Sequence, residues 1–294
     1  MTPQVSFIIP SYHAGSTLPR CLHSIYAQQT EIPFEVIVVD SSEDKAEEQL
    51  LLSFPRVQWI CTGQRMMPGA ARNRGLAEAR ASLAAFVDAD VVLDPAWLKS
   101  GMELLDETHS AILGTLAPYQ ERNWSGLCLF LVQFSKFFPG TPIYEPAMAA
   151  CYALLTRTRD ARQAGGFPED TPMLEDFAFS LRLVRTSGKP ILFHPGLGAC
   201  HINKRGWKVI ATQMRGHGIW AARTRRQADF PGHFLVRYPP LILALPPYRL
   251  VLTAWRTFRW GPDAFFHFLL LMPLVAWSLW IWAWSFFRCA WRHD

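Results

Sequence analysis

The chain has 294 residues, of which 50% are hydrophobic and 18% charged, so it holds enough apolar surface for a full core and is not a disordered protein. Residues 1–199 contain 16 Lys/Arg and 21 Asp/Glu, whereas residues 200–294 contain 13 and 3, so the net charge of +5 originates in the C-terminal part. That part also holds seven of the twelve Trp in its last 40 positions, and a basic, Trp-rich, apolar segment favours a membrane surface as the partner and argues against nucleic acid.

Residues 1–13 lack a basic segment ahead of the first apolar run, which predicts that no signal peptide is present and that the bulk of the protein lies in the cytoplasm. The six cysteines show no CxxC motif and no regular spacing, in a chain too long to need disulfides for stability. We therefore expect reduced, buried thiols at Cys21, Cys61, Cys128, Cys151, Cys200 and Cys289.

Short β-rich apolar runs alternate with helical stretches in the first third of the chain. Residues 5–9, 35–39 and 84–87 have strand composition, and residues 18–28 and 70–81 between them have helical character. This alternation predicts an α/β domain with a mainly parallel sheet.

Each predicted strand ends in polar or turn residues, at 10–12, 40–42 and 88–90. Because ligands of open α/β sheets bind beyond the carboxyl ends of the strands, these segments are expected to meet in one site. The last of them is an Asp-Ala-Asp motif, in which Asp88 and Asp90 point to the same side of an extended backbone. Such carboxylates suit Mg²⁺ or Mn²⁺ bound together with a diphosphate.

Two further motifs flank this one in the sequence. Upstream, the turn at Pro68-Gly69 opens a helix that carries Arg72 and Asn73 towards the same edge. Downstream, a Gly-Gly-Phe-Pro turn at 165–168 precedes Glu175 and Asp176, which open an amphipathic helix where its dipole favours acidic residues.

Together these motifs resemble those of family 2 glycosyltransferases with the GT-A fold, over about residues 4–205. The residues that carry the resemblance are Pro10, Asp40-Ser41-Ser42, Gly69 with Arg72-Asn73, Asp88-Ala89-Asp90, and Gly165-Gly166-Phe167 with Glu175-Asp176. The QxxRW motif of processive polysaccharide synthases is absent, since Gln213-Met214-Arg215-Gly216-His217 stands there, so transfer of a single sugar is expected.

The resemblance implies a nucleotide-sugar donor, with a UDP-sugar preferred. Asp40 is expected to bind the base, and Asp88 the ribose or the metal. The whole expected donor-binding set is Pro10, Tyr12, Asp40, Arg72, Asn73 and Asp88.

It also implies inverting, metal-dependent chemistry. Asp90, with Asp88, is expected to bind Mg²⁺ or Mn²⁺, and His201 stands where many relatives have a histidine near the metal or the diphosphate, although a core histidine explains it as well. Asp176 would be the catalytic base that deprotonates the acceptor hydroxyl. Glu175 would bind acceptor hydroxyls.

The C-terminal region carries the membrane signals. Residues 264–287 contain no charged residue over 24 positions, about the length that crosses a ~30 Å hydrocarbon layer. Residues 235–254 are apolar but contain two arginines and two Pro-Pro pairs, which is consistent with a second, re-entrant or interfacial segment. Residues 207–226 are rich in Lys/Arg and Trp, which is consistent with an interfacial helix.

The sequence thus predicts a catalytic domain at 1–230 and a membrane-associated region at 231–294. The expected function is transfer of a sugar to a lipid, lipid-linked glycan or other cell-envelope acceptor at the cytoplasmic face of the inner membrane. Two alternatives remain open from the sequence: another metal-dependent nucleotide enzyme such as a nucleotidyltransferase, and a non-catalytic membrane adaptor of the same fold.

Overall fold

A computed structural model describes residues 2–43, 48–119, 123–227 and 229–292. The chain forms two compact units: an N-terminal unit of Met1–Thr115 with Pro142–Ile202, and a C-terminal unit of Leu116–Thr141 with Asn203–Asp294. This division does not follow the boundary expected near residue 230, because the segment 116–141 and the helix after residue 206 pack with the C-terminal helices.

One mixed sheet contains the strands of the described residues, in the order β3-β2-β1-β4-β7-β6-β8-β5. They are β1 Val5–Ser11, β2 Phe34–Asp40, β3 Val57–Cys61, β4 Leu83–Val87, β5 Val91–Leu93, β6 Ala111–Pro118, β7 Ala153–Arg157 and β8 Ile191–His201. The first four strands in this order, β3, β2, β1 and β4, run parallel to one another. The pairs β4–β7, β6–β7 and β5–β8 are antiparallel. The sheet is therefore half antiparallel, where the sequence predicts a mainly parallel one, while the three strands predicted in the first third are confirmed.

Helices cover most of the remaining described residues. They are α1 Leu18–Tyr26, α2 Glu48–Ser53, α3 Pro68–Glu78, α4 Trp97–Leu104, α5 Trp124–Phe134, α6 Thr158–Gln163, α7 Glu175–Ser187, α8 Trp207–Arg225, α9 Phe234–Arg237, α10 Leu245–Trp260 and α11 Phe265–Arg292. Short 3₁₀ helices occupy Ser135–Phe137, Pro239–Ala244 and Pro262–Ala264.

The central strand β1 explains why polar residues gather at one edge. Its hydrophobic residues are completely buried on both faces, as expected for a strand between two parallel neighbours. Its register pairs Ser11 with Asp40, the last residues of β1 and β2. The polar segments that follow these strands therefore leave the sheet at the same edge.

The C-terminal unit contains one helix that is long and apolar enough to cross a membrane, among the residues that the structure describes: the segment Pro262–Arg292, a third of whose most apolar stretch is buried. The other apolar segment, 235–254, is divided between α9, a 3₁₀ helix and α10. It is not one continuous span.

The cysteines are reduced, as the sequence predicts, but they are not all buried. Cys61 at the end of β3 is exposed and Cys200 is half-buried, while the other four are buried. Edge strand β3 has only one neighbour, β2, which leaves Cys61 at the surface.

Gly114 in β6 tests the packing of this sheet, because a Cβ there would lie 1.8 Å from the carbonyl oxygen of Leu197 in β8. We expect Gly114→Ala to lower the free energy of unfolding by about 2–4 kcal/mol, since backbone must move. The matched control is Gly101→Ala in α4, where a Cβ meets the ends of the Leu155 and Leu197 side chains and no backbone, and Ala favours the helix. Urea unfolding in detergent measures both, and equal midpoints for the two variants would contradict the close packing of β6 on β8.

Candidate active site

Asp40 is fixed at the end of β2 by the turn that follows it. It is buried, and its Oδ1 accepts hydrogen bonds from the backbone N–H of Ser42 at 3.1 Å and from the Ser42 hydroxyl at 2.7 Å. Asp followed by Ser favours this local turn, because a short side chain can accept from the backbone two residues on. The backbone N–H of Ser41 donates to the Ser11 carbonyl at 2.9 Å, which joins the ends of β1 and β2.

The end of β1 presents an aromatic surface next to this turn. Pro10 is the next-to-last residue of the strand, and Tyr12 follows it with 40% of its surface exposed. The guanidinium of Arg65 lies 4.9 Å from the centre of the Tyr12 ring. The exposed ring and the buried Asp40 are thus held at adjacent strand ends.

Arg72 connects three elements of the N-terminal unit through two short ion pairs. Its guanidinium donates to Asp88, just after β4, at 2.6 Å and to Glu175, the first residue of α7, at 2.7 Å. Arg72 and Glu175 are 4% and 6% exposed. The carboxylate of Glu175 is thus already engaged by a buried arginine, while donor binding by Arg72 and acceptor binding by Glu175 stay predictions.

The cluster of aromatic rings that packs against Arg72 was not predicted from the sequence. The guanidinium carbon lies 5.2 Å from the centre of the Phe167 ring, which stacks on Phe179 at 4.0 Å and meets Phe86 edge-on at 4.9 Å. The Gly-Gly-Phe turn is the only sequence signal for it. These rings hold the arginine in an apolar setting that favours cation–π contact.

Asn73 binds the same turn. Its amide nitrogen donates to the carbonyl of Phe167 at 2.9 Å and to Glu169 at 2.8 Å, and its oxygen accepts from the Phe167 N–H at 2.8 Å. Gly69 packs against the turn as well, since a Cβ there would lie 2.1 Å from the Pro168 carbonyl oxygen. In the structure Asn73 therefore holds the turn, and its expected contact with the donor stays a prediction.

Asp176 stands apart from these pairs. It follows Glu175 on the first turn of α7 and is half-buried, and its Oδ1 accepts from the backbone N–H of Phe177 at 2.8 Å. Among the described residues it forms no ion pair. Burial and the neighbouring charge of Glu175 raise the pKa of Asp176 to about 7, although Arg72 acts in the opposite direction.

The residue before this helix has a backbone conformation that side chains rarely adopt. Leu174 has φ 67° and ψ 14°, in the left-handed region, although it is not glycine. Such geometry costs roughly 1–3 kcal/mol and is concentrated at functional sites. It turns the chain sharply into α7 and so places Glu175 and Asp176 at the start of the helix.

The second carboxylate of the Asp-Ala-Asp motif lies beside a histidine. Asp90 Oδ1 is 3.6 Å from His201 Nε2, because β5 pairs with β8 and brings the two together. Within the described ranges no group of three or more His, Cys, Asp or Glu side chains is placed to hold a metal. An oxygen and an imidazole nitrogen at this distance still fit two ligands of one divalent ion that completes its shell with phosphate oxygens and water.

A family model and several relatives are similar to this chain. A model described as Glycosyl transferase family 2 matches residues 6–146. Glycosyltransferase AglE of Haloferax volcanii is 23% identical over 72% of this chain and 71% of its own length. Succinoglycan biosynthesis protein ExoO of Rhizobium meliloti is 32% identical over 37% of this chain, and O-antigen chain rhamnosyltransferase WbaN of Salmonella anatum 22% over 64%. These two alignments span 32% and 62% of the relatives' own lengths.

Solved structures share the architecture over nearly the whole chain. The crystal structure of TarS of S. aureus in complex with UDP-GlcNAc has a TM-score of 0.56 at 18% identity, covering 99% of this chain and 91% of that one. Mannosyltransferase PcManGT of Pyrobaculum calidifontis, in complex with GDP-Man and Mn²⁺, has a TM-score of 0.58 at 19% identity, covering 99% and 86%. These likenesses confirm the GT-A fold.

A mixed α/β sheet with acidic groups at the ends of β2 and β4 is the architecture of a GT-A enzyme that uses a nucleotide-sugar. The family model, the relatives and the solved structures together support a glycosyltransferase of family 2.

The raised pKa of Asp176 makes a prediction about stability. Because the folded state holds the proton up to about pH 7 and an unfolded Asp releases it near pH 4, the free energy of unfolding falls as the pH rises through this window. Asp176→Asn removes that loss, so its advantage in melting temperature over the natural protein is expected to be larger at pH 8 than at pH 5. Asp170→Asn, an exposed carboxylate nearby, is the control. An equal difference at both pH values would mean that Asp176 ionises normally in the folded protein.

Proposed function

We propose that this glycosyltransferase moves a single sugar from a nucleotide-diphosphate sugar to an acceptor hydroxyl with inversion at the anomeric carbon. The acceptor is proposed to be a lipid, a lipid-linked glycan or another component of the cell envelope. The observation that carries the proposal is the division of roles between the adjacent carboxylates Glu175 and Asp176: one is committed to Arg72, and the other stays without an ion pair among the described residues.

Asp176 has the properties of a general base. Its pKa of about 7 makes it basic enough to accept a proton from an acceptor hydroxyl, yet largely ionised just above neutral pH. The oxygen that loses this proton attacks the anomeric carbon, and the nucleoside diphosphate leaves from the opposite face. The first turn of α7 keeps Asp176 in place through the Phe177 N–H.

The donor side is supported by the two strand ends. Asp40, whose orientation is set by Ser42, offers its carboxylate to the base of the nucleotide, and the partly exposed Tyr12 ring offers a surface for stacking. Asp88, which is oriented by Arg72, would bind the ribose or the metal. UDP-GlcNAc in TarS and GDP-Man in PcManGT support a nucleotide-sugar donor, of which we favour a UDP-sugar.

Asp90 and His201 would hold a divalent cation, with Asp88 nearby, and the Mn²⁺ in PcManGT supports this assignment. When bound, Mg²⁺ or Mn²⁺ stabilises the negative charge that develops on the leaving diphosphate. The protein contributes at most part of the coordination shell.

The acceptor proposal depends on the C-terminal unit and on the relatives. Residues 200–294 carry a large excess of basic residues over acidic ones together with seven exposed or partly exposed Trp near the end, which suits a membrane surface. ExoO is named for succinoglycan biosynthesis and WbaN for rhamnosyl transfer to an O-antigen chain. We place the enzyme at the cytoplasmic face of the inner membrane.

Replacement of the base tests this mechanism. Asp176→Asn is expected to lower the rate of sugar transfer about 10²–10⁴-fold, because a general base contributes about that much, while donor binding changes little. UDP-, GDP- and TDP-sugars would be assayed with a membrane lipid extract, with Mn²⁺ or with EDTA, and NMR of the product would give its anomeric configuration.

Asp170→Asn serves as the matched control and is expected to retain full transfer. Retention of configuration, or transfer that survives Asp176→Asn, would contradict the base assignment. Absence of metal-dependent nucleotide binding in folded protein would instead favour a membrane adaptor of the same fold.

The charge of Glu175 gives a second prediction, on the pH dependence. In the natural protein kcat/KM is expected to fall as the pH drops below about 7, where Asp176 becomes protonated. Glu175→Gln removes one of the causes that raise this pKa, so the acidic limb is expected to move to lower pH. The amide still accepts a hydrogen bond from Arg72, which protects the fold. An unchanged limb in a folded, active variant would mean that another group controls it.

A further inference from the structure

Helix α11 exposes a straight row of apolar and aromatic residues along its whole length. Successive members are three or four positions apart as far as Trp284, and Trp291 follows seven positions later, about two turns, so they lie on one face of the helix. At 1.5 Å per residue the row is about 38 Å long. We call it the α11 row: Phe266, Leu270, Pro273, Trp277, Trp280, Trp284 and Trp291, all exposed.

The opposite face of α11 is covered by other helices of the C-terminal unit. Phe268, Val275, Leu279 and Phe286 are buried there. On the side of α5, His267 lies against Trp124 with the ring centres 5.5 Å apart, and further along α5 Cys128 Sγ lies 3.6 Å from the Ser278 hydroxyl. Contacts with α5 thus begin near the start of α11 and continue to its middle.

Helix α8 runs beside the second half of α11 in close contact. A Cβ on Gly218 would lie 2.4 Å from the Trp282 carbonyl oxygen, so the two backbones almost touch. Further along, the Arg225 guanidinium lies 5.7 Å from the Phe286 ring centre, and Arg226 donates to the Cys289 carbonyl at 2.9 Å. The two helices therefore advance together in the same direction.

The charges of α8 are incompatible with a location in hydrocarbon. Its exposed residues include Lys208, Arg215 and Arg223, spread over the length of the helix. Charged side chains near the centre of a bilayer are costly unless they face a protein interior or a water-filled cavity. Because α8 accompanies α11 so closely, α11 cannot cross a bilayer without carrying these charges into it.

A second apolar face in the same unit continues the α11 row. On α10, Tyr248, Val251, Trp255 and Phe258 are exposed at helical spacing. The last of them, Phe258, packs on Phe265 with the ring centres 5.2 Å apart, directly next to the start of the α11 row. The two rows therefore meet at the corner between α10 and α11.

We infer that the C-terminal unit binds one leaflet of an anionic membrane, with α11 lying in the interface and its row immersed among the lipids, rather than spanning the bilayer. Charge complementarity identifies the occupant: between residues 230 and 292 the sequence has six Arg and a single acid, Asp263. Of these arginines, Arg259, Arg288 and Arg292 are exposed next to the two rows. Trp and Tyr side chains with basic neighbours are typical of helices that lie at the headgroup level.

This arrangement replaces the span predicted at 264–287 and keeps both ends of α11 on the side of the catalytic domain. It does not depend on the transfer activity. The experiment below therefore fails or succeeds independently of the proposed function.

Depth measurements with spin labels distinguish the two arrangements. In full-length protein with Cys61→Ser, single cysteines would replace Phe266, Trp277 or Trp291 and be labelled after binding to phosphatidylglycerol vesicles. A helix in the interface places the three labels at the same depth within ~5 Å, whereas a span places the middle one ~15 Å deeper than the others, near the centre of the bilayer. Binding is also expected to weaken at least tenfold on neutral phosphatidylcholine vesicles or in 1 M salt.

A variant with a matched control adds a second readout. Trp280→Glu is expected to weaken vesicle binding at least tenfold, and Leu52→Glu, at an 86% exposed position of the N-terminal unit, to leave it unchanged. A label at Trp277 that lies ~15 Å deeper than the other two, or a C-terminal tag reachable only from the opposite side of sealed vesicles, would overturn the inference. So would a lipid-independent dimer in which labels on the α11 row of two copies interact.

Discussion

The buried guanidinium of Arg72 organises the acidic edge of the sheet. It takes one oxygen of Asp88 and one of Glu175, residues that α3, β4 and α7 bring together from distant parts of the chain. Removing charges from water is expensive, and a buried ion pair is weak evidence of stability but a strong constraint on geometry. By neutralising the charges of Asp88 and Glu175, Arg72 allows further acids to remain close by. It forms an ion pair with Glu175 and none with Asp176, and this difference separates the roles of the two acids. Adjacent titratable groups with different surroundings are a common basis for such a division.

The sequence predicts three of the four parallel strands, β1, β2 and β4, and the position of the polar edge, because these depend on local patterns: apolar runs, turn residues and their spacing. The sequence does not predict which acidic side chain forms an ion pair with which arginine. Arg72 and Glu175 are 103 positions apart, and at the level of the sequence Glu175 and Asp176 are two equivalent acids at the start of a helix. Among the antiparallel strands, β5 has three residues and β7 five, which is too short for a clear period.

In the C-terminal unit the sequence predicts a long apolar helix but not which of its faces is covered. That depends on α5, which lies more than 130 positions away along the chain, and on α8, which packs along α11 although its charges alone suggest a free surface helix. Length and apolarity describe what a helix tolerates. Its neighbours decide what environment it actually has.

The close contact between Gly69 and the Pro168 carbonyl, together with the bonds from Asn73 to Phe167, has a consequence for the exchange of parts between relatives. Segments 68–75 and 165–169 form one interlocking contact. Segment 165–169 fits against segment 68–75 only because residue 69 is glycine, and the amide of Asn73 orients it. A chimaera that takes only one of these segments from another enzyme brings together two surfaces that do not fit, whatever substrate the new segment was chosen for. Recombination within this family is therefore expected to succeed when both segments are exchanged as a pair.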